Sequence, residues 1–541
     1  MYIPFLLHIA LVLELLSNCI ILLKKHIMKL YKLAISLTIM IILSAGCSKF
    51  LDRPLENRGQ AAKINYADLT LMYRPVSGVY RTASSGTFAK WISVAIRSVR
   101  SDEIEPGNDD AGQIAIHNFQ NNVTVKSYWG INDMWISLYG VVLDANSALA
   151  ELDEFAKNIP AGDAANTKLL AQYRAEVRFF RALGHYWISR YYGDIPILGQ
   201  ESNDPTNLGN ATKSKVEDIR KHVIEEMDFC IANLEDARPN QVAAPRQGAV
   251  TKYTALMLKA KVAMDLAGNN NASPNWDVVL ETTNQIINSH KFSLFGDYYQ
   301  LFKKPGKLCD ESILEFQFSD FGTESGDVVT SGGANESWGN FYLFQGPENT
   351  FGTPITGPGW MVPTQKAVDF LTARNDALRL KTAIQYCGVN GAPNTVSVTP
   401  DGDQISGNAG RKKYFNGKSY FPKSQMTPGR QDYGSNNNVR IFRYAEVLLM
   451  NAEAKIRKGQ NGDGPLNEVR VRVNLGPLTN ATIQQLMDER RAELICEWWG
   501  ERFNDLLRTG QAATVLPGFV TGQSEYLPIP QAQEDINSNL K

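Results

Sequence analysis

The chain has 541 residues, 43% of them hydrophobic and 21% charged, and its formal net charge at pH 7 is −1. That balance suffices for a large core, or for two lobes sharing one, and it gives no basic footprint for nucleic acid. Cys230, Cys309, Cys387 and Cys496 are widely separated and form no CxxC or Cys/His spacing, so they do not point to a zinc site.

Two apolar runs open the chain. Residues 3–23 are long enough to span a membrane, yet they hold Glu14 near their middle, a costly residue at bilayer depth. Only Lys24, Lys25, His26 and Ile27 intervene before Met28, where the basic stub of Lys29 and Lys32 precedes a second run. That run closes on Leu43, Ser44, Ala45, Gly46 and Cys47, small residues before a cysteine, as in a secretory signal. A thiol at the cut site can take a diacylglycerol, although Ser44 stands where leucine is more usual. The expectation is a lipoprotein signal over residues 28–46, a mature chain beginning at lipidated Cys47, and a misassigned extension over residues 1–27. Loss of residues 1–46 removes four lysines and one glutamate and leaves a formal charge of −4.

Beyond a polar tether over residues 48–60, helical periodicity dominates. It predicts helices over residues 128–152 and 176–193. In the second, Val177, Phe180, Gly184, Trp187 and Tyr191 step by three and four, and Gly193 with Pro196 marks the stop. Further helices are predicted over residues 214–234 and 251–268, then a short strand over 312–318. A stripe from Ile441 through Ala445, Leu448, Ala452 and Ile456 ends at Gly459, and residues 483–510 read as a last long helix. Small residues recur on these faces (Ala182, Gly184, Ala260, Ala263, Ala452, Ala454), as in stacked helical hairpins, but no strict period of about 34 residues is present. The class is mainly α.

Two stretches break the pattern. Residues 318–362 are glycine-rich and carry Trp338, Phe341, Tyr342, Phe344, Phe351 and Trp360 without helical spacing. Residues 388–438 are rich in Gly and Asn and carry Tyr414, Phe415, Tyr420, Phe421 and Tyr433. Loops this long are uncommon in compact domains and tend to be functional or disordered. Disordered segments are poor in aromatics, so ordered loops that carry a surface are expected.

Catalytic signals fail on inspection. Gly417, Lys418 and Ser419 suggest a phosphate-binding loop, but Lys412 stands where that motif needs glycine. Asp401, Gly402 and Asp403 suggest a calcium loop, but Ile405 falls where an oxygen ligand is needed, and a plain turn is the better reading. Glu489, Arg490, Glu493, Glu497, Glu501 and Arg502 could be read as paired carboxylates for glycoside hydrolysis. Their spacing better suits ion pairs within the helix and to its neighbours.

Residues 175–198, AEVRFFRALGHYWISRYYGDIPIL, resemble the first-half signature of the SusD/RagB family of outer-membrane nutrient-binding lipoproteins. CSKFLDRPLE after Cys47, TKYTALMLKAKVAMDLAGN, FRYAEVLLMNAEAKIRKG, ERRAELICEWWGERFNDLLRTG and the tail YLPIPQAQEDINSNLK follow the same family in order. The resemblance implies a SusD-like α/α superhelix with degenerate tetratricopeptide-type helical hairpins and long irregular ligand-facing loops. It implies an N-terminal region over residues 47–235 and a C-terminal region over 236–541 within one shared globule. It also implies a non-catalytic, lipid-anchored outer-membrane protein at the cell surface, without cofactor, metal or nucleic-acid partner. Such a protein would deliver oligosaccharides to a SusC-type TonB-dependent transporter.

For sugar recognition, flat exposed rings pack on pyranose C–H faces while Asn, Asp and Arg satisfy hydroxyls at the edge. Trp338, Tyr342 and Trp360 are the leading candidates, each also open to a reading as a plug that anchors its loop. Residues 101–110 resemble the family's early loop at the ligand face, where Asn108 and Asp109 could supply edge hydrogen bonds. A turn with solvated acids is the competing reading there. Two other functions remain in view: a peptide binder on the same scaffold, and an all-helical glycoside hydrolase or lyase.

Overall fold

The structure, a computed structural model, describes residues 64–84, 88, 91–107, 114–318, 345–347, 359–387, 396–406, 413–425, 437–497 and 500–541. The expected signal, Cys47, and the candidates Asn108, Asp109, Trp338 and Tyr342 lie outside these residues.

Helices carry the architecture. α1 (Arg74–Thr82) packs on α2 (Trp129–Ala156), and a short connection turns α2 back into α3 (Ala164–Tyr192). α3 packs on α4 (Val216–Asn233), α4 on α5 (Lys252–Ala267), and α5 on α6 (Asn275–Asn288). Chain neighbours are therefore spatial neighbours, as short connections favour. After a small α7 (Ala377–Ala383), the series resumes with α8 (Tyr444–Arg457), which packs on α6 and then on α9 (Asp463–Arg472) and α10 (Ile483–Leu494). α11 (Glu501–Arg508) follows. Residues 66–541 form one compact unit.

α3 is the central helix. It begins earlier than the stripe predicts because Asp163 caps it, accepting from the Asn166 N–H at 3.0 Å. It stops where predicted: Gly193 adopts φ +73° and its N–H closes on the Ser189 carbonyl at 3.0 Å. The stripe residues are buried, but so are Phe179, Leu183, His185 and Ile188 between them. A helix buried all round is surrounded by partners on every side. Gly184 marks the close approach of α2, since a Cβ there would lie 2.7 Å from Val142 Cγ2.

Among the described residues, short strands form four antiparallel pairs. β1 (Ile104–Pro106) pairs with β3 (Met361–Pro363), and β2 (Ser312–Phe316) with β8 (Val439–Arg443). β4 (Ile384–Tyr386) pairs with β7 (Tyr414–Asn416), and β5 (Val396–Val398) with β6 (Gln404–Ser406). The predicted stripe from Ile441 is thus part strand. Ile441 and Phe442 belong to β8, Phe442 standing opposite Leu314, and the helix proper starts at Tyr444. Apolar residues on a buried strand imitated a further helical turn.

The predicted helix over residues 483–510 is broken. Ile495 is extended, Cys496 takes φ +59° and Gly500 is left-handed at φ +67°. A left-handed non-glycine residue costs about 1–2 kcal/mol. Local pattern lost here to tertiary demand, because the break carries Glu497 to Lys418, 2.9 Å away, and to Arg443.

The charges of this segment form the interior of the second half. Glu493 receives Arg379 at 2.8 Å, together with Arg443 and Arg472. Arg490 reaches Glu446 and Asp505, each at 2.8 Å. Glu501 meets Arg190 from α3 at 2.9 Å and Lys261 from α5 at 3.1 Å. The expected bridging to adjacent helices is present and buried. Burial alone would push the Glu493 carboxyl upward, but Arg472, Arg443, Arg379 and Lys418 hold it well below the usual carboxylate range.

Candidate ligand-binding site

Two segments singled out by composition meet in space. The early loop supplies β1 and the aromatic loop supplies β3, with Ile104 opposite Pro363 and Pro106 opposite Met361. The ladder extends one step further, where the Gly107 N–H donates to the Trp360 carbonyl at 2.8 Å. Backbones here nearly touch: a Cβ on Gly107 would fall 1.5 Å from the Gly359 carbonyl oxygen. Only glycine fits so close a crossing. Both candidate loops therefore spring from one root, with Trp360 half-buried at its edge.

The root is fixed by charge as well as by the buried apolar side chains of Ile104, Met361 and Val362. Asp102 and Glu103 are buried, so these two acids of the loop are not solvated. Asp102 accepts from Arg502 Nε at 2.8 Å and Arg491 Nη2 at 3.1 Å. Glu103 accepts from Arg491 Nε at 3.2 Å and from the Cys496 N–H at 3.3 Å. The two carboxyls respond differently. For Asp102, burial is outweighed by Arg502 and Arg491, and its pKa falls; for Glu103, burial wins over Arg491 and Arg502, and its pKa rises. On the other strand, Thr364 donates to the Glu103 and Asp102 carbonyls at 2.9 and 2.8 Å.

The aromatic loop is held elsewhere too. The Phe318 N–H donates to Asn438 Oδ1 at 3.1 Å, and Asn416 Nδ2 donates to Gln345 Oε1 at 2.9 Å. In the second irregular stretch, Phe415, Tyr420 and Phe421 are buried, so these rings anchor their segment. Tyr414 is half-buried, its hydroxyl 3.0 Å from Gln365 Oε1. Lys418 is an interior cation that donates to Glu497 and to the Glu493 carbonyl, both at 2.9 Å. Asp401, Gly402 and Asp403 form the turn between β5 and β6, with Gly402 at φ +88°. Tyr299 and Tyr420 donate to Asp401 and Asp403.

Of the predicted site residues, Trp360 is at the root, and Asn108 follows directly on Gly107 in the chain. Sequence reasoning missed Asp102, Glu103, Arg491 and Arg502 as the clamp of this face. No local signal could have found them, since the partners lie almost 400 residues apart. Carboxylates weighed as catalytic, Glu489, Glu493, Glu497 and Glu501, face guanidinium and ammonium groups in the interior.

Known proteins resemble this chain along nearly its whole length. The pattern described as the SusD family matches residues 390–527, and one described as starch-binding, associating with the outer membrane, matches residues 98–251. A SusD-like protein of Formosa agariphila is 23% identical over 89% of this chain and 92% of its own. A second from that organism is 24% identical, over 40% of this chain and 39% of its own. The starch-binding protein SusD of Bacteroides thetaiotaomicron is 24% identical over 68% of this chain and 71% of its own. Among solved structures, a SusD homologue from B. thetaiotaomicron superposes with a TM-score of 0.73, at 19% identity over 90% of this chain and 98% of its own. Surface glycan-binding protein A of the same organism, in complex with laminarihexaose, gives 0.68 at 21% identity, over 87% and 98%. The shared fold is the all-α one.

Proposed function

The chain belongs to the SusD/RagB family, and on that premise we propose that it is a non-catalytic, lipid-anchored binder of oligosaccharides at the outer-membrane surface. It passes its ligand to a SusC-type TonB-dependent transporter. The observation that carries this reading is the β1–β3 root, which joins the early loop to the aromatic loop and holds Trp360 at their junction. In this reading the Trp360 ring offers a stacking face, Asn108 and Asp109, which follow Gly107 in the chain, supply edge hydrogen bonds, and Trp338 and Tyr342 add further rings. The relative named for starch and the neighbour holding laminarihexaose support a glycan over a peptide. Cys47 supplies the membrane tether. A tether holds the globule at the membrane but offers no passage through it, which is the physical motive for a transporter partner.

Calorimetric titration with a panel of oligosaccharides tests the reading. Trp360→Ala should weaken binding by roughly 1–3 kcal/mol, on the scale of base–aromatic stacking, with little change in melting temperature. Unchanged affinity for a ligand that the wild-type protein binds would move the site away from the root. New reducing ends in the same incubations would replace a binder with a hydrolase. Extraction in mild detergent should bring down a β-barrel protein with the chain, and a wild-type chain that migrates alone would count against the transporter.

A further inference from the structure

A pocket of about 370 Å³ lies between α2, the connection from α3 to α4 and the tail helix Gln531–Ile536. Its size falls within the ordinary range for small-molecule sites, and it is more than twice the ~150 Å³ at which a dry apolar cavity takes up benzene. Leu143, Leu198, Leu208, Leu540 and the rings of Trp135 and Tyr139 form its wall. Ile136 and Ile536 also line it and stay 54% and 73% exposed. Its polar side chains are engaged within the protein. The Tyr139 hydroxyl donates to the Pro196 carbonyl at 2.8 Å, Asn537 Nδ2 to the Ala211 carbonyl at 2.8 Å, and Gln533 Nε2 to Asn132 Oδ1 at 2.9 Å. A hydroxyl-rich ligand would give up its water here for few hydrogen bonds in return.

Gly140 supplies a second, independent observation. It lies in the middle of α2, where glycine weakens a helix, and it lines the pocket. The close approach of α2 accounts for Gly184, but a Cβ on Gly140 would meet nothing within 4 Å. No packing contact therefore calls for glycine at this position. Ile136 and Leu143, four residues before and three after on the same helix face, both line the pocket, so a side chain at 140 would stand between them in the open space.

We propose that this pocket binds a single unbranched alkyl chain, such as that of a medium-chain fatty acid, whose polar end stays in water at the mouth. The wall offers aliphatic and ring surface and asks for no hydrogen bonds, so binding gains with each methylene buried. Gly140 keeps the space open at the expense of helix propensity. The inference is independent of the glycan reading above.

Thermal melts of the full chain in lipid nanodiscs, titrated with hexanoate or octanoate, test it. Both acids should raise the melting temperature. The concentration giving half the maximal rise should fall about tenfold from hexanoate to octanoate, as two further buried methylenes require. Gly140→Leu fills the space without meeting a neighbour, so its own melting temperature should equal or exceed that of the wild type, and the response to octanoate should disappear. Ile536→Ser, on the exposed rim, should raise the half-maximal octanoate concentration by about threefold or more, as a smaller apolar contact implies, with the unliganded melting temperature unchanged. A wild type that does not respond, or responds equally to the two acids, would overturn the proposal. So would variants at 140 and 536 that both respond as the wild type does. Sedimentation covers a different occupant: a wild type that runs as a dimer beside a monomeric Gly140→Leu would assign the pocket to a second copy of the chain and overturn the alkyl site.

Discussion

The second-half helices and the loop root are both rich in charge, but they use it in opposite ways. Around Glu493, three arginines and a lysine surround one carboxylate whose neighbours are themselves paired, so each ion is held from several sides. At the root, Asp102 and Glu103 share Arg491 along a single seam, and Arg502 adds a second contact to Asp102. A closed network makes a scaffold whose parts cannot move independently. An open seam fixes where a loop starts. The difference suits a protein that must keep its frame while presenting variable chemistry.

The contrast can be broken most severely at Glu493. Glu493→Gln should destabilise the fold by about 3–5 kcal/mol, the usual cost of stranding buried partner charges, seen as a lower denaturant midpoint. A loss below 1 kcal/mol would mean that the network is not the frame. Asp102→Asn should cost less, about 1–2 kcal/mol, while weakening glycan affinity through a loosened root; a loss of stability with full affinity retained would separate root from site. The smallest effect should come from His185, in the first half. Burial first, then His222 and Arg181, push its pKa down to about 3, and its Nε2 accepts the Leu198 N–H at 3.0 Å. The folded-state value is depressed, so its contribution is complete above pH 6.5 and is lost as pH falls toward 3. Between pH 7.5 and 5.5 this group should remove about 1.4 kcal/mol. A His185→Gln chain should show a correspondingly flatter acid limb in thermal melts, and equal slopes would exclude the histidine.

How much of this was legible in the sequence follows from the range of the forces involved. The stop of α3 at Gly193 and the span of α5 between Thr251 and Gly268 are decided within a few residues, by caps and backbone freedom, and periodicity found them. The break at Cys496 was invisible because its cause, the meeting of Glu497 with Arg443 and Lys418, spans more than fifty residues. β1 and β3 are three residues each, too short to show a period, and their pairing across some 250 residues leaves no local trace. The aromatics of residues 388–438 were read as surface carriers, yet Phe415, Tyr420 and Phe421 are buried. Composition reports that rings are present and not which way they face. Trp360 was singled out by type, but its place beside Gly107 came only from the fold.

The crossing of Gly107 and Gly359 has a consequence for how such proteins diversify. Gly107 opens one segment, which leads to the helix at Ile114, and Gly359 closes another, which sets out from Phe318, so the crossing pins one end of each at a fixed spacing. Lengthening a flexible segment twofold adds only about 0.6 kcal/mol of closure entropy, a small charge on a frame of this size. Variation in either segment that keeps the two glycines therefore leaves their crossing intact, whereas a side chain at Gly107 would force the two backbones apart.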